Sequence, residues 1–186
     1  MASETQKRCS PAAFRRKSAR ARRVAIARDV LAQLRDRRLT AQSGKWFLLE
    51  GINLLEENPD AQLSDILQDD THYSACAIGS LLVSATRLAD RLTVRAATGF
   101  AIESLRPHFS QEQSRLIEYV FECGDGVVES WELPRDQIGA AEALVAKWDG
   151  KTLEERLRAI MRNIVRNGDF VVPRSRAITS KGRRSS

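Results

Sequence analysis

Residues 74–92, SACAIGSLLVSATRLADRL, form the stretch of sequence that decides the fold. Apolar side chains recur there every three or four residues over about five helical turns, which is the period of one face of an α-helix. They are Ile78, Leu81, Leu82, Ala85, Leu88 and Leu92. The pattern predicts a central core helix. On its other side, Gly79 and Ser80 predict a notch of small residues where a neighbouring backbone can approach closely.

Further helices are predicted on both sides of this stretch. Ser10-Pro11 gives a hydroxyl cap followed by proline at the first helical position, and it predicts a helix that runs towards Arg38. An apolar stripe begins at Val24, so we expect the second half of this helix to dock on the body and the first half to project. Ser110 and Thr152 begin the capping boxes S-x-x-Q and T-x-x-E, and each predicts the start of an amphipathic helix.

The other segments carry weaker signals. Helical patterns cover residues 63–67, 94–105 and 134–148. Gly124 is predicted to end the helix that Ser110 begins, and residues 39–44 are predicted to be a loop. The run 45–50, KWFLLE, fits a strand or a helix, and we interpret it as a buried connector. Residues 127–131 are either a short strand or an extended loop. The sequence therefore predicts an all-α fold, a compact bundle-like single domain of about six or seven helices.

Charge divides the chain into three parts. Residues 1–40 contain 12 Lys and Arg against 3 acids, residues 41–170 contain 13 against 21, and residues 171–186 contain 5 against none. The net charge of +6 and the pI of about 9.6 therefore describe the two ends, whereas the middle is acidic. Any binding to nucleic acid is predicted to come from the ends and not from the folded body.

The charge boundaries nearly coincide with the predicted fold boundaries. We predict a basic N-terminal arm at residues 1–23, an all-α domain at residues 24–172 and a basic C-terminal tail at residues 173–186. The composition of the arm, rich in Arg, Ala and Ser, is also typical of an organellar transit peptide, and that alternative stays open.

Cysteine usage and hydropathy indicate the cellular compartment. Cys9, Cys76 and Cys123 lie far apart and form no C-x-x-C pair, which argues against a disulfide framework and a four-cysteine zinc site. A reducing cytoplasm is the expected location. No apolar run reaches the roughly 18 residues that a membrane span needs, so no membrane contact is predicted. We expect no cofactor.

Three segments together resemble a known family. They are CAIGS at residues 76–80, LIEYVFE at residues 116–122 and RAIMRNIVRNGDF at residues 158–170. Their order and spacing over residues 26–173 resemble a family of uncharacterised small helical proteins from bacteria and phages. Relatives often carry a second cysteine three residues before the position of Cys76, where this chain has Tyr73. The resemblance implies a helical fold and implies no particular activity.

The basic ends supply the candidate contacts to nucleic acid. Arginine suits this role because its planar guanidinium can grip a phosphate through two N–H donors. The N-terminal candidates are Arg15, Arg16, Lys17, Arg20, Arg22 and Arg23, and the C-terminal candidates are Arg174, Arg176, Lys181, Arg183 and Arg184. Phe14 is the one aromatic residue among them, so no ladder for stacking bases is present. Two alternatives stay open: the arm is a solvated tail, or it contacts the acidic surface of another copy or a partner.

One short segment combines residue types that bind metals. It contains Asp69, Asp70, His72 and Cys76. His72 and Cys76 would share a helix face if the core helix began early enough, but no second His or Cys lies nearby in the sequence. We interpret the segment as an acidic capping loop followed by a buried cysteine, and we assign no metal site.

No catalytic residues are predicted. Glu118 and Glu122 place two carboxylates on one helix face, but this spacing is typical of a solvated outer face, which we expect here. No Gly-rich phosphate loop, G-x-S-x-G or H-E-x-x-H motif occurs. The leading hypothesis is a non-enzymatic accessory protein whose basic ends contact nucleic acid or another polyanion without base-specific readout. The alternatives are a protein-binding helical module and, third, a small enzyme.

Overall fold

The computed structural model describes residues 10–44, 46–49, 60–67, 71–89, 101–123 and 133–172, with the backbone alone at residues 101 and 102. The helices are α1 Pro11–Arg15, α2 Ala19–Arg35, α3 Leu63–Ile66, α4 Ala77–Ala89, α5 Ala101–Leu105, α6 Gln111–Glu122, α7 Ile138–Lys147 and α8 Leu153–Asn167. The strands are β1 Leu39–Ala41, β2 Leu48–Leu49 and β3 Tyr73–Ala75. The described part of the chain is therefore mostly helical.

Helix α4 lies at the centre of the structure. Residues 77–86 are all buried, and the helix packs against α1, α2, α3, α5, α6 and β3. This confirms the predicted central core helix, although it begins at Ala77 because the residues just before it form strand β3. Asp90 and Leu92, at the end of the predicted stretch, lie outside the described residues.

A small mixed sheet corrects the all-α prediction. Strand β3 lies in the middle, with β1 parallel to it on one side and β2 antiparallel on the other. Leu39 is opposite Tyr73, and Leu48 is opposite Ser74. Strands of two or three residues are too short to show the alternation that identifies a strand in a sequence. The predicted loop at 39–44 and connector at 45–50 therefore contain β1 and β2, whereas residues 127–131 lie outside the described residues.

A buried polar network joins α2 to α4 and β3. The Gln33 side chain, which has no solvent exposure, donates from Nε2 to Asp29 Oδ2 at 2.7 Å and to Ser84 Oγ at 2.8 Å. The hydroxyl of Tyr73 donates to Gln33 Oε1 at 2.6 Å. Burial raises the pKa of Tyr73 well above its ordinary value, so this hydroxyl remains a donor. The side-chain amide of Gln33 therefore has hydrogen-bond partners on α2, α4 and β3.

The caps of α6 and α8 agree with those predicted from the sequence. At Ser110 and at Thr152, the hydroxyl accepts the N–H of the third helical residue, whose side chain accepts the N–H of the cap residue in return. Both predicted capping boxes are confirmed. Helix α6 ends with Cys123 in the left-handed region at φ 59°, and Gly124, the predicted stop, lies outside the described residues.

The helix predicted from Ser10 towards Arg38 is interrupted. Ser10 does cap α1, but α1 ends at Arg15 and α2 begins after Ser18. The Ser18 hydroxyl accepts a hydrogen bond from Ala21 N at 3.3 Å. Serine caps a new helix better than it continues an old one, because its side chain competes for backbone N–H groups.

Gly79 permits the close approach that the sequence predicts. The backbone carbonyl of Trp46 lies so close to Gly79 that a Cβ at this position would overlap the carbonyl oxygen. The neighbouring group is backbone, which cannot rotate away as a side chain can. The notch in α4 is therefore the place where the segment containing β2 passes over the core helix.

We predict that Gly79→Ala lowers the free energy of unfolding by about 1–3 kcal/mol, the usual cost of overpacking a core. Gly139→Ala is the matched control, because nothing lies within 4 Å of the added Cβ in α7. The control is expected to leave stability unchanged or to raise it by no more than about 1 kcal/mol. Urea unfolding measures both, and equal stabilities for the two variants would show that Trp46 does not press on α4.

Candidate polyanion-binding surface

The basic N-terminal segment is folded onto the body from Ser10 onwards. Phe14 has no solvent exposure, and its ring meets the ring of His108 edge to face, with centroids 5.7 Å apart. Helix α1 packs against α4. The expectation that the first half of this segment projects is therefore wrong for residues 10–23. A single apolar residue among cations gives no periodic signal, so the sequence did not reveal Phe14 as an anchor.

Two of the predicted phosphate-binding arginines donate to backbone carbonyls instead. Arg15 Nη1 donates to Ala89 O at 2.9 Å, and Arg22 Nη2 donates to Pro107 O at 3.3 Å. Ala89 is the last described residue of α4, and carbonyls near helix C-termini lack partners within the helix. These arginines therefore help to attach the N-terminal segment to two other parts of the chain.

A third arginine, Arg23, binds the C-terminal end of α8. Arg23 donates from Nε to Gly168 O at 2.8 Å and from Nη1 to His108 O at 3.1 Å, and its Nη2 lies 3.6 Å from Asp169 Oδ2. Gly168 caps α8 at φ 79°, and the Arg20 side chain lies against it. Positive charge at a helix C-terminus is favourable because it meets the negative end of the helix dipole.

Two further cations of the predicted set, Lys17 and Arg20, line an open groove of about 320 Å³ beside α2. Its lining residues are Lys17, Ser18, Arg20, Ala21, Val24, Ala25 and Arg28. The lining includes three cations and no acid, and Arg20 and Arg28 are exposed. Like charges that share a groove repel each other, so an anion that binds between them is favoured. We call these seven residues the cationic groove.

The cationic groove includes a residue that the candidate set missed. Arg28 lies beyond the predicted boundary of the arm at residue 23. Its signal was present in the sequence, because Arg28 follows Arg20 by eight residues and Lys17 by eleven, which places all three on one side of a helix. Arg16 is exposed outside the lining. The C-terminal candidates, Arg174, Arg176, Lys181, Arg183 and Arg184, lie outside the described residues.

His72 and Cys76, the weak candidates for metal ligands, lie apart in the structure. Strand β3 lies between His72 and Cys76, so the two residues are about 13 Å apart along an extended chain and do not share a helix turn. His72 is exposed, with Nδ1 3.1 Å from the carbonyl of Arg37. Cys76 is buried, and burial raises the pKa of its thiol to about 12. Asp69 and Asp70 lie outside the described residues, and no group of three or more His, Cys, Asp or Glu in the described ranges could hold a metal ion.

Glu118 and Glu122 face the interior, which corrects the predicted solvated face. Their relative exposures are 3% and 6%. Glu122 accepts a hydrogen bond from the Ser43 hydroxyl and one from Gly44 N at 3.3 Å. The carboxylate thus holds the residues that follow β1, and the pair also contributes to the raised pKa of Cys76. Buried carboxylates need such partners, because desolvation of a charge is costly.

His108 makes the attachment of the N-terminal segment sensitive to acid. Burial lowers its pKa to about 4, and the positive charge of Arg22 lowers it further in the same direction. The folded protein therefore holds a neutral imidazole at pH values where the unfolded chain, with an ordinary pKa near 6.5, binds a proton. The contribution of His108 to the free energy of unfolding is therefore fully present above pH 6.5, and it is lost as the pH falls towards 4.

We predict that wild-type protein loses more stability between pH 7.5 and about pH 4.5 than His108→Leu, which has no group to titrate at this position. Urea midpoints measured at both pH values for both proteins give the comparison. Carboxylates titrate in both proteins alike, so the difference isolates His108. An equal loss in the two proteins would show that His108 is protonated as easily in the folded state as in the unfolded state.

No helix within the described ranges combines the length and apolar character needed to cross a membrane. Comparison of the chain with protein-family models, with curated proteins and with solved structures found no match. The resemblance based on residues 76–80, 116–122 and 158–170 therefore stays a prediction.

Proposed function

We propose that this protein is a non-enzymatic accessory protein that binds nucleic acid through the phosphate backbone, with the cationic groove as its folded contact surface. The observation that supports this proposal is the composition of the groove lining, in which Lys17, Arg20 and Arg28 are accompanied by no acid. Such a surface neutralises phosphates and releases their counterions. The groove thus has the sign of charge that a polyanion needs.

The spacing of the cations suits an extended anion. Arg20 and Arg28 are eight residues apart on α2, which corresponds to about 12 Å along the helix axis. Double-stranded DNA carries one charge per roughly 1.7 Å of its axis, so this length of helix can face several phosphates. A polymer with regularly repeated charges therefore fits the groove better than a single small anion.

The apolar part of the groove lining favours binding without sequence preference. Ala21, Val24 and Ala25 carry no hydrogen-bonding side chain that could read a base edge. Phe14, the aromatic residue in this segment, is fully buried and cannot stack on a base. We therefore expect contacts to phosphate and sugar to supply the affinity.

The alternative functions have less support. For a protein-binding module, the large hydrophobic residues exposed in the described ranges are Leu48 and Val171, on separate segments. For a small enzyme, Glu118 and Glu122 are buried, and Glu122 is engaged with residues 43–44. We also propose a cytoplasmic location, because the three cysteines lie far apart in the sequence and form no C-x-x-C pair.

Substitution is a better test of this proposal than deletion of the arm. Removal of residues 1–23 would also remove Phe14 and the arginines that attach α1 and α2, so a loss of binding could reflect unfolding. Lys17→Glu with Arg28→Glu changes two groove cations whose side chains donate to no backbone carbonyl among the described residues.

We predict that wild-type protein binds a DNA duplex of mixed sequence with an affinity that falls steeply with salt, and that Lys17→Glu/Arg28→Glu binds at least about 10-fold more weakly at low salt. The slope of log K against log salt should decrease by about 2, since two phosphate contacts are lost. Fluorescence anisotropy across a salt series measures both quantities.

The matched control is Arg135→Glu/Lys147→Glu, which changes net charge equally at two exposed positions near α7. Helix α7 packs chiefly against α6, and neither Arg135 nor Lys147 lines the groove. The control should retain most of the affinity and slope. Equal losses in the two double variants would show that net charge alone decides binding, and no duplex binding by wild type would refute the proposed function.

A further inference from the structure

We propose that Ser18 is a phosphorylation site, at which a serine kinase and a nucleoside triphosphate place a phosphate in the cationic groove and thereby weaken its binding to nucleic acid. This inference rests on the proposed function and adds a means of regulating the same surface. Among the seven residues of the groove lining, Ser18 alone carries a hydroxyl group. Three features of the described residues support the proposal.

The first feature is the exposure of Ser18. The residue lies in the turn between α1, which ends at Arg15, and α2, which begins at Ala19. It is exposed, and its backbone is extended, with φ −60° and ψ 157°. Its hydroxyl oxygen accepts a hydrogen bond from Ala21 N at 3.3 Å. An enzyme can therefore approach this hydroxyl from solvent.

The second feature is the charge of the residues that precede Ser18. Arg15, Arg16 and Lys17 place three cations directly before the hydroxyl, and residues 5–28 contain no acid. Kinases select their substrates partly by complementary charge, so a kinase with an acidic substrate-binding surface matches this segment. Arg16 is exposed and lies outside the groove lining. Recognition by a kinase thus gives a role to a cation that the groove does not use.

The third feature is the positive charge that a phosphate on Ser18 would meet. Lys17 and Arg20 line the groove close to it in sequence, and Arg28 lies about 15 Å further along α2. The ion pairs within the described ranges involve other arginines, so no described carboxylate offsets these three cations. A phosphoserine carries a charge of about −1.5 to −2 at pH 7. It therefore offsets most of the charge of Lys17 and Arg20.

The reaction is a phosphoryl transfer to the Ser18 hydroxyl. Its Oγ attacks the γ-phosphorus of the nucleoside triphosphate, the bond from that phosphorus to the bridging oxygen breaks, and the nucleoside diphosphate leaves. A carboxylate of the kinase accepts the hydroxyl proton. The added negative charge lies at the start of α2, where it meets the positive end of the helix dipole. The modified protein therefore keeps α2, and its groove loses positive charge.

The binding test compares wild-type protein with two full-length proteins that carry one phosphoserine, introduced during translation by an expanded genetic code. The first carries it at position 18, and the control carries it in place of Thr152. The Thr152 hydroxyl is exposed, caps α8 and accepts Glu155 N at 3.2 Å, so its local setting matches that of Ser18. Arg20 contacts the opposite end of α8, about 22 Å along the helix. Circular dichroism verifies folding.

We expect the protein with phosphoserine at position 18 to bind a mixed-sequence DNA duplex at least about 10-fold more weakly than wild type at low salt. The slope of log K against log salt should decrease by about 2, since two cations are offset. The control should retain most of the affinity. Equal binding by the position-18 protein and wild type, or equal losses at both positions, would overturn the inference and leave the proposed function intact. An absence of duplex binding by wild type would refute the proposed function.

A second measurement tests the site itself and does not depend on DNA. Folded wild-type protein is incubated with an arginine-directed serine kinase, Mg²⁺ and ATP, and the phosphate is located by mass spectrometry of proteolytic peptides. Phosphate is expected on Ser18, and Ser18→Ala should lose this peptide signal while it keeps any signal from other serines. Transfer to an isolated peptide of residues 13–23, with none to Ser18 of the folded protein, would show that the fold closes the site and would overturn the inference.

Discussion

Burial of α4 on all sides is the constraint on which the rest of the described structure depends. A helix whose residues 77–86 are all inaccessible to water must be covered by other elements around its whole circumference. Helix α1 supplies part of that cover, with Phe14 as its anchor, and this explains why a strongly basic segment is folded at all. The same requirement explains Gly79, since a side chain there would prevent the Trp46 carbonyl from closing another side of the helix.

Arginine has two separate uses in the N-terminal segment. Arg15, Arg22 and Arg23 donate to backbone carbonyls of other segments, and these hydrogen bonds attach the N-terminal segment to the body. Lys17 and Arg28 line an open groove instead. Sequence composition cannot distinguish these uses, because both produce the same density of cations. The folded state therefore offers a smaller and better defined cationic surface than a free arm would.

Local signals in the sequence predicted local structure well. The core helix, both capping boxes and the notch at Gly79 depend on spacing or on one residue type, and each appears in the structure. What the sequence did not predict depends on tertiary contact. The sheet is built from strands of two or three residues that come from separate segments of the chain, and Glu122 is buried where residues 43–44 approach it. Arg28 was missed because a fold boundary was placed where the charge density fell.

Native-state hydrogen exchange tests most directly whether the basic segment at residues 10–23 belongs to the folded body, as Phe14 and Arg23 indicate. The amide of Arg22 donates to Ser18 O at 2.9 Å in the first turn of α2, and Val30 lies in the buried middle of the same helix. We predict that the amides of Arg22 and Arg23 are protected to a degree that approaches that of Val30, because Arg23 and Phe14 attach this end to the body. Exchange of Arg22 and Arg23 at the rate of an unstructured chain, with Val30 still protected, would contradict it.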